Sequence, residues 1–141
     1  MEIDPNNAVV KLCAEGIATE IGGRAEEAGK LYGQAWSTCT DAYERCIAAH
    51  YIARAKTTPQ ERLRWNQEVL RYAGEVDREK VWTFYPSLYL NVGKSHEDVG
   101  AKQEARRLYQ LAADGAAVLP EGKLTDTVRR GAAEGLKRTM E

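Results

Sequence analysis

The chain has 141 residues, of which 43% are hydrophobic and 29% are charged, and its formal net charge at pH 7 is −1. This balance is typical of one folded globular domain and excludes disordered and collagen-like chains. A charge near zero argues against general affinity for nucleic acid, which requires a surplus of basic side chains. No apolar run is long enough to predict a membrane span. The N-terminal residues lack the basic and apolar regions of a signal peptide, so we expect a cytoplasmic protein.

Periodicity and end signals predict four helices in the first half of the chain. The first covers residues 7–21 and ends at a glycine pair, and the second covers 25–38. The third opens at Cys39 or Thr40 and runs to residue 55. The fourth covers 59–73, because Thr58 can cap it, Pro59 suits its first position and Glu61 completes a capping box.

Three further helices are predicted after a polar connector over residues 74–80. The fifth covers 85–98 with Pro86 in its first turn, since proline cannot donate an interior hydrogen bond. The alternative is a longer helix that begins near Asp77 and is kinked at Pro86. The sixth covers 102–118, and the seventh is capped by Thr125 and runs to residue 139. No segment alternates like a strand, so the predicted fold class is all-α.

Part of the sequence recurs after 77 residues. Five small or aromatic residues of the first two helices have counterparts at this one offset: Gly16, Gly23, Ala28, Tyr32 and Ala35 match Gly93, Gly100, Ala105, Tyr109 and Ala112. Small residues allow two helices to pack closely, glycine takes the tight turn between them, and tyrosine fills the space between helix pairs.

With these residues the chain resembles the tetratricopeptide repeat family, and as a whole it resembles small bacterial proteins of this class. The resemblance implies one domain over residues 1–141, with three helical hairpins at about 8–39, 40–74 and 84–120 and a capping helix at about 124–140. The second repeat is degenerate. His50 and Arg62 replace small residues there, and Asn66 replaces the aromatic residue.

The family binds peptides or partner proteins on a concave groove lined by the first helix of each pair. The resemblance therefore implies a protein or peptide partner for the first, third and fifth predicted helices. The groove residues that it implies are Glu20, Glu44, Tyr51, Arg54, Ser87, Asn91, Lys94 and Asp98. Arg54 and Lys94 are placed to hold a carboxylate. The chain departs from the clamp of chaperone-binding members, because Cys13, Ile17 and Ser87 occupy clamp-type positions.

Two alternatives to this groove remain open. His50 and Arg62 form either a buried polar pair that fixes the second repeat or a small ligand pocket, whose residues would be His50, Arg62, Trp65, Asn66 and Tyr85. A homodimer or larger scaffold is the other alternative, since a short repeat stack has exposed ends. No nucleotide-binding loop, nucleophile motif or zinc motif is present, so we predict neither catalytic residues nor a metal or cofactor. The three cysteines are expected to be buried thiols.

Overall fold

The computed structural model describes residues 4–140, and this part of the chain is helical and contains no strand. It has seven long helices: α1 (Ala8–Ile21), α2 (Ala25–Thr38), α3 (Ala42–Ala55), α4 (Pro59–Ala73), α5 (Tyr85–Asp98), α6 (Lys102–Ala116) and α7 (Lys123–Thr139). A four-residue helix and a 3-10 turn, Arg78–Val81 and Trp82–Phe84, precede α5. The all-α prediction is confirmed. Across residues 4–140, no helix combines the length and the apolar character that crossing a membrane requires.

The observed bounds of α2, α4 and α5 are those that the sequence predicted. Thr58 caps α4 by accepting a hydrogen bond from the backbone N–H of Glu61 at 3.2 Å. Pro86 lies in the first turn of α5. A helical segment does begin near Asp77, at Arg78, but the 3-10 turn Trp82–Phe84 separates it from α5, so the two do not form one long α-helix. α1 begins one residue after the predicted start, because Asn7 is its N-cap and accepts from the N–H groups of the first turn.

Three predicted boundaries are wrong. α3 begins at Ala42, because Asp41 caps it by accepting from the Glu44 N–H at 2.8 Å; neither Cys39 nor Thr40 opens the helix. α6 ends at Ala116 instead of residue 118. α7 begins at Lys123, so Thr125 lies inside its first turn, where the hydroxyl donates to the Pro120 carbonyl at 2.7 Å instead of capping.

The chain divides into two compact units, the first ending at Lys80 and the second beginning at Val81. In the first unit α1 packs on α2, α3 packs on α4, and α3 also contacts α1 and α2. In the second unit α5 packs on α6, and α7 contacts both. Each unit has its own core of small and branched side chains, including Ala48 in the first and Ala132 in the second. The predicted single domain and the limits of its repeats stay predictions.

The turns after α1 and α5 have the same geometry. Gly23 and Gly100 adopt left-handed backbone angles, with φ of 83° and 86°. The next backbone N–H donates back to a helix carbonyl in each turn, from Arg24 to Thr19 at 3.1 Å and from Ala101 to His96 at 2.8 Å. Glycine adopts this conformation without the strain that a Cβ would add, which explains its recurrence after 77 residues.

A buried tyrosine fills the space beside a glycine in the first hairpin of each unit, α1–α2 and α5–α6. A Cβ on Gly16 would overlap the Cε1 atom of Tyr32, and one on Gly93 would lie 3.2 Å from the Cδ1 atom of Tyr109. Tyr32 is 0% exposed and Tyr109 is 1% exposed. In both units a missing side chain on the first helix of a pair makes room for a ring from the second helix of the same pair, so the tyrosine packs within the pair as well as against the helix that follows.

The helix that follows covers the buried tyrosine ring in each unit, but the two units use different residues to do so. In the first unit Tyr51 of α3 stacks on Tyr32, with ring centroids 5.6 Å apart. The residue 84 positions later is Gly135 of α7, and a Cβ there would lie 2.5 Å from the ring of Tyr109. The first unit thus covers its tyrosine with a second ring, and the second unit covers it with helix backbone.

The glycine–tyrosine contact predicts opposite effects for two glycine-to-alanine changes. Gly16→Ala should lower the free energy of unfolding by roughly 1 to 3 kcal/mol, because the new methyl group meets a buried ring. Gly33→Ala should raise it by about 0.5 to 1 kcal/mol, because a Cβ at this helical position has no atom within 4 Å. Urea unfolding of the two variants provides the measurement. A Gly16→Ala protein as stable as the parent would contradict the packing described.

Candidate functional site

Two of the predicted groove residues, Glu20 and Arg54, bind each other and the buried tyrosine of the first unit. The Glu20 carboxylate accepts from the Arg54 Nε and Nη2 groups at 2.9 Å and from the Tyr32 hydroxyl at 3.3 Å. Hydrogen bonding to Arg54 lowers the pKa of Glu20, and burial raises the pKa of Tyr32 to about 12. The cluster holds α1, α2 and α3 together and satisfies the polar end of a buried ring.

The second unit repeats this cluster. Glu97 accepts from the Tyr109 hydroxyl at 2.6 Å and from the Arg138 Nε and Nη2 groups at 2.9 Å and 3.0 Å. Hydrogen bonding to Arg138 lowers the pKa of Glu97 to about 2, while burial raises the pKa of Tyr109. Glutamate and tyrosine recur after 77 residues and arginine recurs after 84. Two equivalent clusters in two units indicate a structural role.

The other predicted groove residues of the first unit are also engaged within the chain. Glu44 accepts from the Asn7 side-chain amide at 2.8 Å and from the backbone N–H and hydroxyl of Thr40 at 2.8 Å and 2.9 Å. It therefore ties the start of α1 to the start of α3. Tyr51 is half-buried between Tyr32 and His50, so its ring is largely used in packing.

The four predicted groove residues on α5 fall into two pairs. Lys94 and Asp98 form an ion pair one helical turn apart, at 3.0 Å. Ser87 and Asn91 are half-buried, and neither side chain makes a hydrogen bond within residues 4–140. Since α5 belongs to the second unit, the common groove of α1, α3 and α5 stays a prediction, and Ser87 and Asn91 are its available polar side chains.

The residues of the predicted His50 pocket have separate roles. The Arg62 guanidinium donates to the Lys56 carbonyl at 3.0 Å and thus caps the end of α3. The half-buried His50 ring meets Tyr51 edge-on at 5.1 Å, and burial together with the nearby Arg54 cation lowers the pKa of His50. Asn66 is half-buried, and in the second unit Tyr85 contacts Tyr89 at 5.6 Å.

Of that predicted set, Trp65 lines a cleft in the first unit. The cleft has a volume of about 500 Å³, and we call it the α2 cleft. Its residues come from α2, the end of α3 and α4: Glu26, Gly29, Lys30, Tyr32, Gly33, Trp36, Ile52, Ala55, Lys56 and Trp65. Volumes of this size are typical of ligand-binding clefts. The predicted pocket residues other than Trp65 do not line it.

Aromatic and aliphatic side chains form the floor of the α2 cleft. Trp36 and Trp65 pack edge-to-face with centroids 5.2 Å apart, and both are half-buried. Tyr32 and Ile52 beneath them are buried. The two tryptophans pack against the buried cluster that contains Tyr32 and Ile52, and their exposed parts offer apolar surface to a partner.

Two glycines of α2 open this floor to solvent. Gly29 and Gly33 lie one helical turn apart, and a Cβ on either would meet no atom within 4 Å. Each costs about 1 kcal/mol of helix stability relative to alanine. No contact within residues 4–140 requires these glycines, in contrast to Gly16. Residues that lower the stability of their own helix without a packing reason are concentrated at functional sites.

The equivalent face of the second unit carries large side chains. Arg106 and Gln110 stand 77 positions after the two glycines. The Arg106 guanidinium reaches the carbonyl of Thr139 at the end of α7, with Nη2 at 2.8 Å and Nε at 3.2 Å. Both units therefore contain the buried tyrosine cluster, but they differ on the outer face of the helix that carries the tyrosine. In the second unit α6 has arginine and glutamine there, whereas in the first unit α2 has two glycines and no side chain among residues 4–140 covers the surface.

Two lysines and one glutamate are the charged residues that line the α2 cleft. Lys30 makes no ion pair within residues 4–140, and Lys56 is paired only loosely, with its Nζ atom 3.7 Å from the Glu61 carboxylate. Glu26 is the one acidic residue among those that line the cleft, and it too lacks an ion pair among the described residues. An ammonium group without an intramolecular partner is available to an anionic group of a ligand.

The cysteines offer little reactivity and no metal site. Burial raises the pKa of Cys13 to about 12 and that of Cys46 to about 11, so both remain thiols at neutral pH. All three cysteines are free, and none is fully exposed, which agrees with the predicted buried thiols. Over residues 4–140, no three histidine, cysteine or acidic side chains cluster as metal ligands.

Comparison with known proteins gives no match: no protein-family model, no curated protein and no solved structure resembles this chain sufficiently. Inference about its function therefore rests on the side chains themselves. The α2 cleft is an arrangement that the internal packing of residues 4–140 leaves unexplained. Periodicity alone did not predict it, although comparison of positions 29 and 33 with positions 106 and 110 contains the signal.

The Glu97 cluster predicts a pH-dependent contribution to stability. The folded-state pKa of the Glu97 carboxyl is about 2, below the unfolded value of about 4.3. The stabilisation by its negative charge is therefore present at neutral pH and is lost as the pH falls toward about 2. Glu97→Gln should lower the free energy of unfolding by roughly 1 to 2 kcal/mol at neutral pH, and the difference from the parent should shrink below about pH 4.

Urea unfolding at about pH 7 and about pH 2.5 provides the measurement. Glu104→Gln is the matched control, since Glu104 forms a more exposed ion pair with Arg107 and should have a smaller effect. A Glu97→Gln difference that is equal at both pH values would show that the carboxylate charge does not stabilise the fold.

Proposed function

We propose that this protein is a helical-repeat module of the tetratricopeptide kind that acts in the cytoplasm by binding a peptide segment of a partner protein. The observation that carries the proposal is the α2 cleft, where two glycines leave an aromatic floor open to solvent. The recurrence of the turn glycines and of the buried tyrosines supports the kinship with tetratricopeptide repeats.

The shape of the α2 cleft favours a chain segment over a compact ligand. Its α2 residues extend from Glu26 to Trp36, which corresponds to about 15 Å along the helix axis at 1.5 Å per residue. Glu26, Lys30 and Gly33 along this side are exposed. An elongated depression with an exposed side accepts a peptide along its length, whereas small-molecule sites enclose most of the ligand surface.

The predicted groove offers less to a partner in the first unit. Glu20, Glu44 and Arg54 all bind within the chain, and their release would expose buried polar atoms such as the Tyr32 hydroxyl. Ser87 and Asn91 on α5 remain available and define the alternative site on the second unit. We therefore place the partner on the α2 cleft.

The proposal predicts that filling the α2 cleft abolishes partner binding without unfolding the protein. Gly29→Gln/Gly33→Gln places two uncharged side chains over the floor. It should also raise the free energy of unfolding by about 1 kcal/mol, because glutamine favours a helix more than glycine does. Native partners are captured from a lysate of the source organism by the parent and the variant, and recovery is quantified by mass spectrometry. Recovery should fall at least about tenfold.

Two further variants make the capture experiment decisive. Ala14→Gln/Ala18→Gln adds the same side chains at the same spacing on exposed positions of α1 and should leave recovery unchanged. Ser87→Lys/Asn91→Lys changes the alternative site on α5. Partners that are lost with this variant and retained with the glutamine-filled cleft would reject the α2 cleft as the binding surface.

A further inference from the structure

We infer that the segment bound in the α2 cleft is acidic and inserts one large apolar side chain between Lys30 and the Trp36–Trp65 pair. This inference rests on the proposed function, since it names the chemistry of the partner. Two independent features of the cleft carry it: the apolar floor beneath the two glycines, and the two lysines at the edge.

The floor selects an apolar side chain. Trp36 and Trp65 present half-exposed ring surfaces at right angles, with an interplanar angle of 87°. An aliphatic or aromatic side chain placed in that corner contacts both rings and removes their surface from water. Because Gly29 and Gly33 have no Cβ, the main chain of the bound segment can approach the backbone of α2 closely.

The edge selects an acidic segment. Lys30 is on the α2 side of the cleft and Lys56 directly follows α3, so two ammonium groups belong to the lining that a bound segment meets. Lys30 lacks an ion pair among residues 4–140, and the Lys56–Glu61 pair at 3.7 Å exceeds hydrogen-bond length. Glu26, one turn before Lys30, disfavours a second negative group at that end and thereby orients the segment.

The partner chemistry is tested by selection with a phage-displayed library of short random peptides on the full chain. The selected sequences should share a large apolar residue within a few positions of an aspartate or glutamate. Synthetic versions are then titrated by tryptophan fluorescence in a Trp82→Phe background. The chain has three tryptophans, so this change leaves the two in the cleft floor as the source of the signal.

Charge variants measure the contribution of the edge. Lys30→Ala/Lys56→Ala should weaken the selected peptides about three- to tenfold, since each exposed ion pair contributes modestly. Glu26→Ala should strengthen them, up to about twofold, because it removes a repulsion. The effect of the lysine variant should disappear at high ionic strength, where exposed charges are screened.

The outcomes separate this inference from the proposed function. Suppose that the selected peptides do not bind Gly29→Gln/Gly33→Gln, but lack acidic residues or bind the lysine variant as tightly as the parent. This result would overturn the inference that the bound segment is acidic, and it would leave the proposed peptide-binding function in place. Selected peptides that bind the filled cleft as well as the parent would overturn both. A concentration-dependent dimer that Gly29→Gln/Gly33→Gln abolishes would identify a second copy as the occupant and would also overturn the inference.

Discussion

A tyrosine ring buried between helices is the interaction around which each unit of this protein is built. The ring needs room, which a glycine on the neighbouring helix provides, and its hydroxyl needs a partner, which a glutamate at the end of that helix provides. In the first unit these residues are Tyr32, Gly16 and Glu20. An arginine from the third helix then neutralises the glutamate. One buried phenol thus fixes the packing of three consecutive helices and explains why the same residues recur after 77 positions.

Duplication of this arrangement makes the differences between the two units informative. Tyr51 covers one ring with another ring, whereas Gly135 covers its counterpart with backbone. The buried clusters are otherwise equivalent, so their role is structural. At the outer face of α2, however, Gly29 and Gly33 stand where the second unit carries arginine and glutamine. We place the binding function on this face of α2, because it differs from the equivalent face of the second unit and because its two glycines lower helix stability.

The sequence predicted those parts of the fold that single residues determine. Thr58, Pro59 and the turn glycines act locally, so α2, α4 and α5 were predicted at their observed ends. The predicted start of α3 was wrong because Cys39 ends α2 and Asp41 caps α3, so neither Cys39 nor Thr40 is the cap. The α2 cleft was not predicted because it depends on the absence of side chains at Gly29 and Gly33. Hydrophobic periodicity indicates which residues face the core, but it does not indicate where core residues remain open to solvent.

The contact of a glycine with a buried ring is the central claim, and nuclear Overhauser measurements on the labelled protein test it most directly. The α-protons of Gly16, Gly93 and Gly135 should each show cross-peaks to the aromatic protons of the facing tyrosine. The aromatic protons of Tyr32 and Tyr109 should have the chemical shifts of buried, packed side chains. Absence of these cross-peaks for Gly16 and Gly93, with glycine shifts typical of solvent-exposed helix, would contradict the account.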